Sequence, residues 1–141
     1  MRRLILFVRL PRAERRLLME AASGLTLAQL QVRLFGFRRL AQRLGAHMAQ
    51  APQARPEAVR EARRIRYALD VAARNLPWKP VCLPQAIAAT RMLRRRGIAS
   101  TLYLGVDRTR DLDAHAWVRV GGVVVTGGPV DDRFAVVSTF A

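Results

Sequence analysis

The chain has 141 residues, of which 51% are hydrophobic, and it carries a formal net charge of +15. This length fits one domain over residues 1–141, and the hydrophobic content excludes an intrinsically disordered chain. The single cysteine excludes an intramolecular disulfide, and no uncharged stretch reaches the roughly 20 residues of a membrane span, so we expect a cytoplasmic protein without a transmembrane segment.

The excess positive charge comes almost entirely from arginine, because Lys79 is the only lysine. An arginine-rich surface could contact nucleic acid, anionic lipid or an acidic peptide, but an arginine-rich proteome would give the same surface without such a partner. The arginines between residues 60 and 74 lie largely away from the apolar stripe of their predicted helix, which is typical of a solvated face. We therefore do not expect nucleic acid as a partner.

Residues 1–76 have the pattern of amphipathic helices. Across residues 12–45, apolar residues recur at spacings of three and four, which predicts a long helix that could divide at Gly24 or Gly36. A loop that contains two prolines follows. A second helix is predicted over residues 57–74, where the same apolar spacing returns.

Residues 77–141 are expected to form the catalytic part of the chain. A third helix is predicted from about Leu83 to Arg96, and Gly97 is a natural end for it. Gly121-Gly122 predicts a tight hairpin. The predicted strands are Ala99–Val106, Ala114–Val120, Val123–Thr126 and Phe134–Thr139. The predicted fold class is therefore α+β: N-terminal helices, then a cysteine-bearing helix packed on a small antiparallel sheet.

Cys82 stands just before Pro84, and proline is favoured in the first turn of a helix. A thiol at a helix N-terminus lies near the positive end of the helix dipole and near free backbone N–H groups, which favours the thiolate. The same N–H groups could hold the oxyanion that develops during acyl transfer. The alternative is a buried cysteine that acts as a small hydrophobic side chain, because Cys82 shares a helical stripe with Ala86 and Leu93.

His115 lies near the start of the predicted strand 114–120, with Trp117 on the same face. A histidine on a strand that packs against the cysteine helix could act as general base and then as general acid. His47 follows a helix in a polar region and fits a structural or surface role better. One cysteine and two histidines are too few ligands for a structural zinc site, and we expect no cofactor.

A third residue is expected to orient the imidazole. A two-residue turn at Gly121-Gly122 would place His115 opposite Gly128, where there is no carboxylate. Asp131 is our candidate, because the chain could bend after Pro129 and bring it back. The alternatives are Asp132, which the same bend could bring back, Asp111, Asp113, Thr126 and a backbone carbonyl.

These residues form ordered blocks: Cys82-Leu83-Pro84, then Leu104-Gly105-Val106, then His115-Ala116-Trp117-Val118. In them the chain resembles the lasso-peptide maturation protease, a family similar in fold to the bacterial transglutaminase-like cysteine peptidases. Residues 12–45 also resemble the helical leader of the stand-alone members of that family. The resemblance implies a catalytic Cys and His, with an Asp about twelve residues after the His. Gly127 stands at that position here.

The resemblance implies a function as well: removal of the leader peptide from a ribosomally made precursor, which frees an α-amine for a separate lasso cyclase. It also implies a leader-recognition protein that delivers the precursor. ATP has been linked to some members, but the chain has no GxxxxGK[ST] phosphate loop, and we assign no nucleotide site.

Two other functions remain open from the sequence. One is a noncatalytic peptide- or nucleic-acid-binding module with a degenerate triad, which Gly127 and the arginine excess would suit. The other is a different acyl-transfer reaction on a similar fold, because a nucleophile and a base do not determine the acceptor.

Overall fold

The computed structural model describes residues 2–111 and 113–141, with the backbone alone for residues 2–4, and Met1 and Leu112 lie outside the described residues. The strands form an antiparallel sheet in the order β3-β2-β1-β4, and this sheet follows the helices along the chain, which confirms the α+β fold class. The elements are α1 (Arg2–Arg9), α2 (Arg12–Ala41), α3 (Pro56–Asn75), α4 (Cys82–Arg95), β1 (Thr101–Asp107), β2 (Ala114–Val120), β3 (Val123–Thr126) and β4 (Phe134–Phe140).

The predicted elements and the observed ones agree to within two residues over α3, α4 and the four strands. α1 is an element that the sequence did not predict, because its 8 residues are too few for an apolar period to stand out. α2 is broken at Gly36, whose φ of 71° and ψ of 166° are not helical, whereas Gly24 stays within the helix. Within the described residues, no helix combines the length and the apolar character needed to cross a bilayer.

The core lies between the helices and one face of the sheet. α2, α3 and α4 pack on one another, and α3 and α4 contact β2 and β3. Burying one large apolar side chain contributes about 1.5–3 kcal/mol, so this packing fixes where α4 begins relative to the sheet. The largest fully buried side chains include Leu25, Ile65, Leu69, Ile87, Leu93, Leu102 and Val118.

Charged side chains join the same three helices at the surface. The guanidinium of Arg96, which directly follows α4, binds Glu20 of α2 at 2.7 Å and Glu61 of α3 at 3.2 Å. Arg64 of α3 binds Glu14 of α2 at 2.7 Å. The hydrogen bond from Arg96 is the main reason why the pKa of Glu20 is lowered from its ordinary value.

The two faces of β2 have different surroundings. Ala116 and Val118 belong to the main core beneath the helices. Since side chains alternate along a strand, His115 and Trp117 point to the opposite face. Trp117 is only 3% exposed there, although it is not part of the main core cluster. On this face a second, smaller packed region is formed by an aromatic cluster of Tyr103, His115, Trp117 and Phe134.

The hairpin at Gly121-Gly122 is confirmed, with Val120 paired to Val123 across the turn. The predicted register is wrong beyond this point, because the pairing shifts between Arg119 and Val118 and Val118 pairs with Thr126. One extra residue in β3 makes this bulge. As a result, His115 does not face Gly128 in a regular ladder, and the chain leaves the strand after Thr126.

Candidate active site

Cys82 is the first residue of α4, and its side chain is partly exposed. The preceding residue, Val81, has extended backbone angles and no side chain that could cap the helix. Pro84 has no N–H group, and the Gln85 N–H donates to the Val81 carbonyl at 3.3 Å. The N–H groups of Cys82 and Leu83 therefore lack partners within the helix, as expected at the start of any helix. They are available to a negatively charged oxygen beside the thiol.

Gln85 holds the loop before Cys82 in place. Its side-chain Nε2 donates to the Pro80 carbonyl oxygen at 2.7 Å, across the first turn of α4. Pro80 is buried, so this hydrogen bond joins the helix start to a fixed part of the chain. The thiol is thus attached to a rigid element rather than to a free loop.

The imidazole of His115 lies among aromatic rings. Its centroid is 5.8 Å from the Trp117 ring, at an interplanar angle of 25°, and 4.9 Å from the Phe134 ring. The Trp117 ring in turn stacks on the Tyr103 ring, with 5.4 Å between the ring centroids and an interplanar angle of 5°. These contacts restrict the rotation of the His115 side chain about its Cα–Cβ and Cβ–Cγ bonds.

Gly105 explains why the indole ring can lie flat across the sheet. A Cβ atom at position 105 would stand 2.7 Å from Cη2 of Trp117, closer than real Cβ contacts allow. The absence of a side chain on β1 therefore lets Trp117 extend over this strand towards Phe134 of β4, 5.9 Å away between ring centroids. This is a physical reason for the glycine in the Leu104-Gly105-Val106 block.

The partner of the His115 ring is a backbone carbonyl. Nε2 of His115 lies 2.6 Å from the carbonyl oxygen of Gly127. A carbonyl oxygen accepts a hydrogen bond but cannot donate one, so Nε2 carries the proton in this contact. In the neutral ring, Nδ1 then keeps its lone pair and is the atom that can take a proton from a thiol.

The backbone at Gly127 has no room for the aspartate that the resemblance implies at this position. Gly127 has a φ of +79°, a conformation that residues with a side chain rarely adopt. A Cβ atom there would also collide with the carbonyl oxygen of Ala116 and stand 2.8 Å from Cβ of Trp117. The carbonyl of Gly127 thus occupies the place beside the imidazole that a carboxylate was expected to take.

A cavity of about 270 Å³ brings Cys82 and His115 together. Both border it, at the end of the sheet where β3 gives way to the Gly127–Gly128 loop. No hydrogen bond joins the thiol to the imidazole among the described residues. Catalytic hydrogen bonds are often long in a free enzyme and shorten when the substrate binds, so the two groups remain a candidate pair. A larger cavity of about 840 Å³, near the start of α3, contains neither group.

Asp131 does not border this cavity. Its carboxylate binds Nε of Arg133 at 2.9 Å, and 56% of the side chain is exposed. The hydrogen bond from Arg133 is the main reason why the pKa of Asp131 is lowered. Asp111 and Asp113 are exposed in the turn before β2 and do not border the cavity either. The role predicted for Asp131 therefore stays a prediction that these contacts do not support.

Thr126, another alternative from the sequence, does line the cavity. Its residue is 4% exposed, and its hydroxyl oxygen has no hydrogen-bond partner among the residues that the structure describes. It is therefore not the group that orients His115. Of the alternatives left open by the sequence, the backbone carbonyl is the one found next to the ring.

Three further polar residues line the cavity that the sequence analysis did not select: Arg66 and Asp70 of α3, and Gln85 of α4. Arg66 and Asp70 lie one turn apart on α3, so the helical period could have placed them on one face. Nothing in the sequence showed that this face meets the start of α4.

The model of the transglutaminase-like superfamily matches residues 24–139, most of the chain. The chain belongs to this superfamily. The matched segment begins within α2 and includes α3, α4 and the strands of the sheet, and hence both Cys82 and His115. Searches of curated proteins and of solved structures returned no significant match. The transglutaminase-like superfamily includes cysteine peptidases, whose chemistry is acyl transfer to a thiol.

Proposed function

We propose that this transglutaminase-like protein is a cysteine peptidase, with Cys82 as the nucleophile and His115 as the base. The observation that carries the proposal is the shared cavity, which holds the only thiol of the chain, at a helix start, and an imidazole whose Nε2 is already bonded. The superfamily membership supports the same chemistry.

The first half of the reaction forms a thioester. Sγ of Cys82 attacks the carbonyl carbon of the scissile bond while its proton passes to Nδ1 of His115. The carbonyl oxygen becomes an oxyanion, and the N–H groups of Cys82 and Leu83 are the donors available to it. When the C–N bond breaks, the leaving amine takes the proton from Nδ1, and the acyl group stays on the sulfur.

The second half returns the enzyme to its starting state. His115 accepts a proton from a water molecule, and the resulting hydroxide attacks the thioester carbon. The C–S bond breaks, the thiol regains a proton, and a carboxylic acid is released. The carbonyl of Gly127 keeps the imidazole oriented throughout, because Nε2–H remains bonded to it whether or not Nδ1 is protonated.

A carbonyl stabilises a protonated imidazole less than a carboxylate would, because it carries no net charge. We therefore propose a Cys82–His115 pair oriented by Gly127, and we keep Asp131 as the alternative third member. The Asp131→Ala and Asp111→Ala variants separate the two. If Asp131→Ala cuts the cleavage rate tenfold or more while Asp111→Ala does not, Asp131 is the orienting residue and our assignment of Gly127 is wrong.

The specific substrate that we propose is the leader of a ribosomally made lasso-peptide precursor. Its basis is the resemblance in the cysteine, Leu-Gly-Val and His-Ala-Trp blocks. The product would be a core peptide with a free α-amine, which a separate lasso cyclase would use. A leader-recognition protein is the partner we expect to deliver the precursor.

The N-terminal helices offer a surface for this partner or for the leader itself. Several apolar side chains of α2 stay exposed on one side of the helix, at 46–64% of their full area. They are Met19, Leu27, Leu30 and Leu34. We propose that this α2 stripe is the docking face. Leu30→Asp and Leu34→Asp should weaken binding of the leader-recognition protein, whereas Met48→Asp, at an exposed apolar residue outside the helices, should not.

The decisive experiment is cleavage of the precursor by the Cys82→Ala variant in the presence of the leader-recognition protein. We expect no product, and Cys82→Ser serves as the matched variant that keeps the side-chain shape. Circular dichroism and thermal melting of both variants establish that they are folded. Precursor processing by a folded Cys82→Ala protein would exclude the mechanism.

A second candidate is a binding module that has lost catalysis. It is favoured because, in the part of the chain that the structure describes, no hydrogen bond joins the thiol to the imidazole and no carboxylate binds the imidazole. Alkylation with iodoacetamide at pH 7 distinguishes the two functions. An active nucleophile should react faster than free cysteine, and His115→Ala should slow it, whereas a binding module should show a slow thiol that is indifferent to this change.

A further inference from the structure

Asp70 introduces a negative charge into the cavity that holds Cys82. It is on α3, exposed, and within the described residues it is the one acidic side chain lining the cavity that holds Cys82. The other charged group on this wall is Arg66, one helical turn earlier. Peptide hydrolysis as derived above uses neither of them.

The carboxylate of Asp70 differs from the acidic groups of the chain that bind arginine. Each of the four glutamates forms an ion pair with an arginine, and Asp131 binds Arg133. No ion pair or hydrogen bond involves the Asp70 carboxylate among the described residues. Arg74, one turn later on the helix, donates to the backbone oxygen of Asp70 at 3.1 Å and not to its carboxylate.

Asp70 is not needed to orient the imidazole, because Nε2 of His115 is bonded to Gly127. A carboxylate on the wall of a small, mainly polar cavity is a strong acceptor for a cationic nitrogen. The cavity, at about 270 Å³, has room for a side chain next to the reacting acyl group but not for a folded partner. A small cationic group matches both the charge of Asp70 and the size of the cavity.

We propose that Asp70 forms a subsite for a cationic side chain of the substrate, a lysine ammonium or an arginine guanidinium, next to the acyl group that Cys82 attacks. The identity of the ligand as a substrate side chain rests on the proposed function. The preference of the cavity for a cationic over an anionic group does not depend on that function. Asp70 acts as a specificity-determining residue. Arg66, on the same wall, is a positive charge that opposes the attraction of a cation by Asp70.

The test uses Cys82 as a reporter, since it is the only thiol in the chain. Two methanethiosulfonate reagents of similar size, one carrying a trimethylammonium group and one a sulfonate, are compared by their rate constants on the full-length protein. A unit charge several ångströms away changes the two rates in opposite directions, so we expect Asp70→Asn to lower the cation-to-anion ratio by about fivefold at low salt. Arg66→Gln should raise it.

Asp132→Asn is the matched control, because it removes the same charge from an exposed aspartate that does not border the cavity. It should leave the ratio within about 1.5-fold of the wild type, as expected for a distant, screened charge. Asp70→Glu, which keeps the charge, should retain the wild-type ratio. Equal ratios in Asp70→Asn and Asp132→Asn would overturn the proposal.

The processing assay then tests the subsite with substrate. Replacing a lysine or arginine beside the scissile bond by glutamine should slow cleavage by the wild type but not by Asp70→Asn. If both enzymes respond equally, Asp70 does not read that charge. If Asp70→Asn lowers the cation-to-anion ratio of the reagents but the wild type does not process the precursor, the peptidase function alone is contradicted. If processing needs Cys82 but Asp70→Asn leaves that ratio unchanged, the subsite alone is contradicted.

Discussion

Replacing Gly127 by alanine should both destabilise the fold and disturb the site. The Gly127 backbone has a φ of +79°, which costs a residue with a Cβ about 1–2 kcal/mol. The new methyl group would also press on the backbone of Ala116 and on Trp117, and crowding of this kind in a packed region costs roughly 1–3 kcal/mol. The expected loss in the free energy of unfolding is therefore about 2–5 kcal/mol.

This loss converts into a large shift in melting temperature. An unfolding entropy of about 2.1 cal/mol/K per residue amounts to roughly 0.3 kcal/mol/K for this chain, so each kcal/mol lowers Tm by about 3–4 °C. Gly127→Ala should thus lower Tm by roughly 7–17 °C. Differential scanning calorimetry measures this shift, and agreement between the calorimetric and van't Hoff enthalpies shows whether the transition remains cooperative.

Gly97→Ala is the matched control. Gly97 has a similar φ of +67°, but a Cβ atom there meets nothing within 4 Å. Its cost is the backbone term alone, so we expect a Tm loss of roughly 3–7 °C. If the two variants lose the same Tm, the close approach between Gly127 and β2 does not exist, and the explanation for the missing aspartate is wrong.

The same substitution should displace the Gly127 carbonyl from His115. In the wild type, long-range ¹H–¹⁵N NMR of the neutral ring should show the proton on Nε2, because the carbonyl accepts from that atom. Gly127→Ala should give a mixture of the two tautomers, while Gly97→Ala should keep the wild-type pattern. A wild-type ring protonated on Nδ1 would refute the assignment of Nδ1 as the base.

Two further predictions concern the aromatic packing around His115 and the ion pair between Glu20 and Arg96. Trp117→Ala should cost about 3–5 kcal/mol and slow cleavage, since the ring is buried and stacks on His115, whereas Trp117→Phe should cost less. Glu20→Gln should cost about 1.5–3 kcal/mol at neutral pH. Because Arg96 lowers the pKa of Glu20 below 4.5 in the folded protein, this contribution is complete above pH 4.5 and is lost as the pH falls through the lowered value. The Tm values of the wild type and of Glu20→Gln, measured against pH, should therefore converge only in acid. A gap in Tm that stays constant with pH would contradict the ion pair. Glu57→Gln, at an exposed glutamate, is the control and should change Tm little at any pH.

Local sequence signals were sufficient for most of the secondary structure. The apolar period predicted α3, Gly97 ended α4 within two residues, and Gly121-Gly122 made the hairpin. These features depend on neighbours within one helical turn or one tight turn, so the sequence contains all the information they need. α1 was missed because eight residues do not establish a period.

The bulge in β3 could not be predicted in this way. It depends on how Val125 and Thr126 pack against the helices and on how the chain leaves the sheet, both of which involve residues far away in the sequence. A shift of one residue was enough to separate His115 from its predicted neighbour Gly128. Asp131 as the third member of the site stays a prediction, because the position of its carboxylate depends on the same long-range contacts.

The composition gives the net charge of the chain but not the position of each charge in the fold. The chain is strongly basic, and its glutamates bind arginines between α2, α3 and α4. The sequence did not indicate that Asp70 would lack an ion pair, because arginines lie one helical turn before it and one turn after it. Only the packing of α3 against the start of α4 puts that carboxylate in the cavity.

By itself, the sequence determined the α+β order of the elements and the choice of Cys82 and His115 as the candidate pair. It could do so because a proline near a helix start, an alternating strand and a glycine pair act through short-range sterics. The tertiary structure decided that a single cavity gathers the pair, that the carbonyl of Gly127 stands where an aspartate was expected, and that Asp70 lines the same cavity as the thiol. These depend on contacts between distant segments, where the position of a backbone atom matters as much as the identity of a side chain.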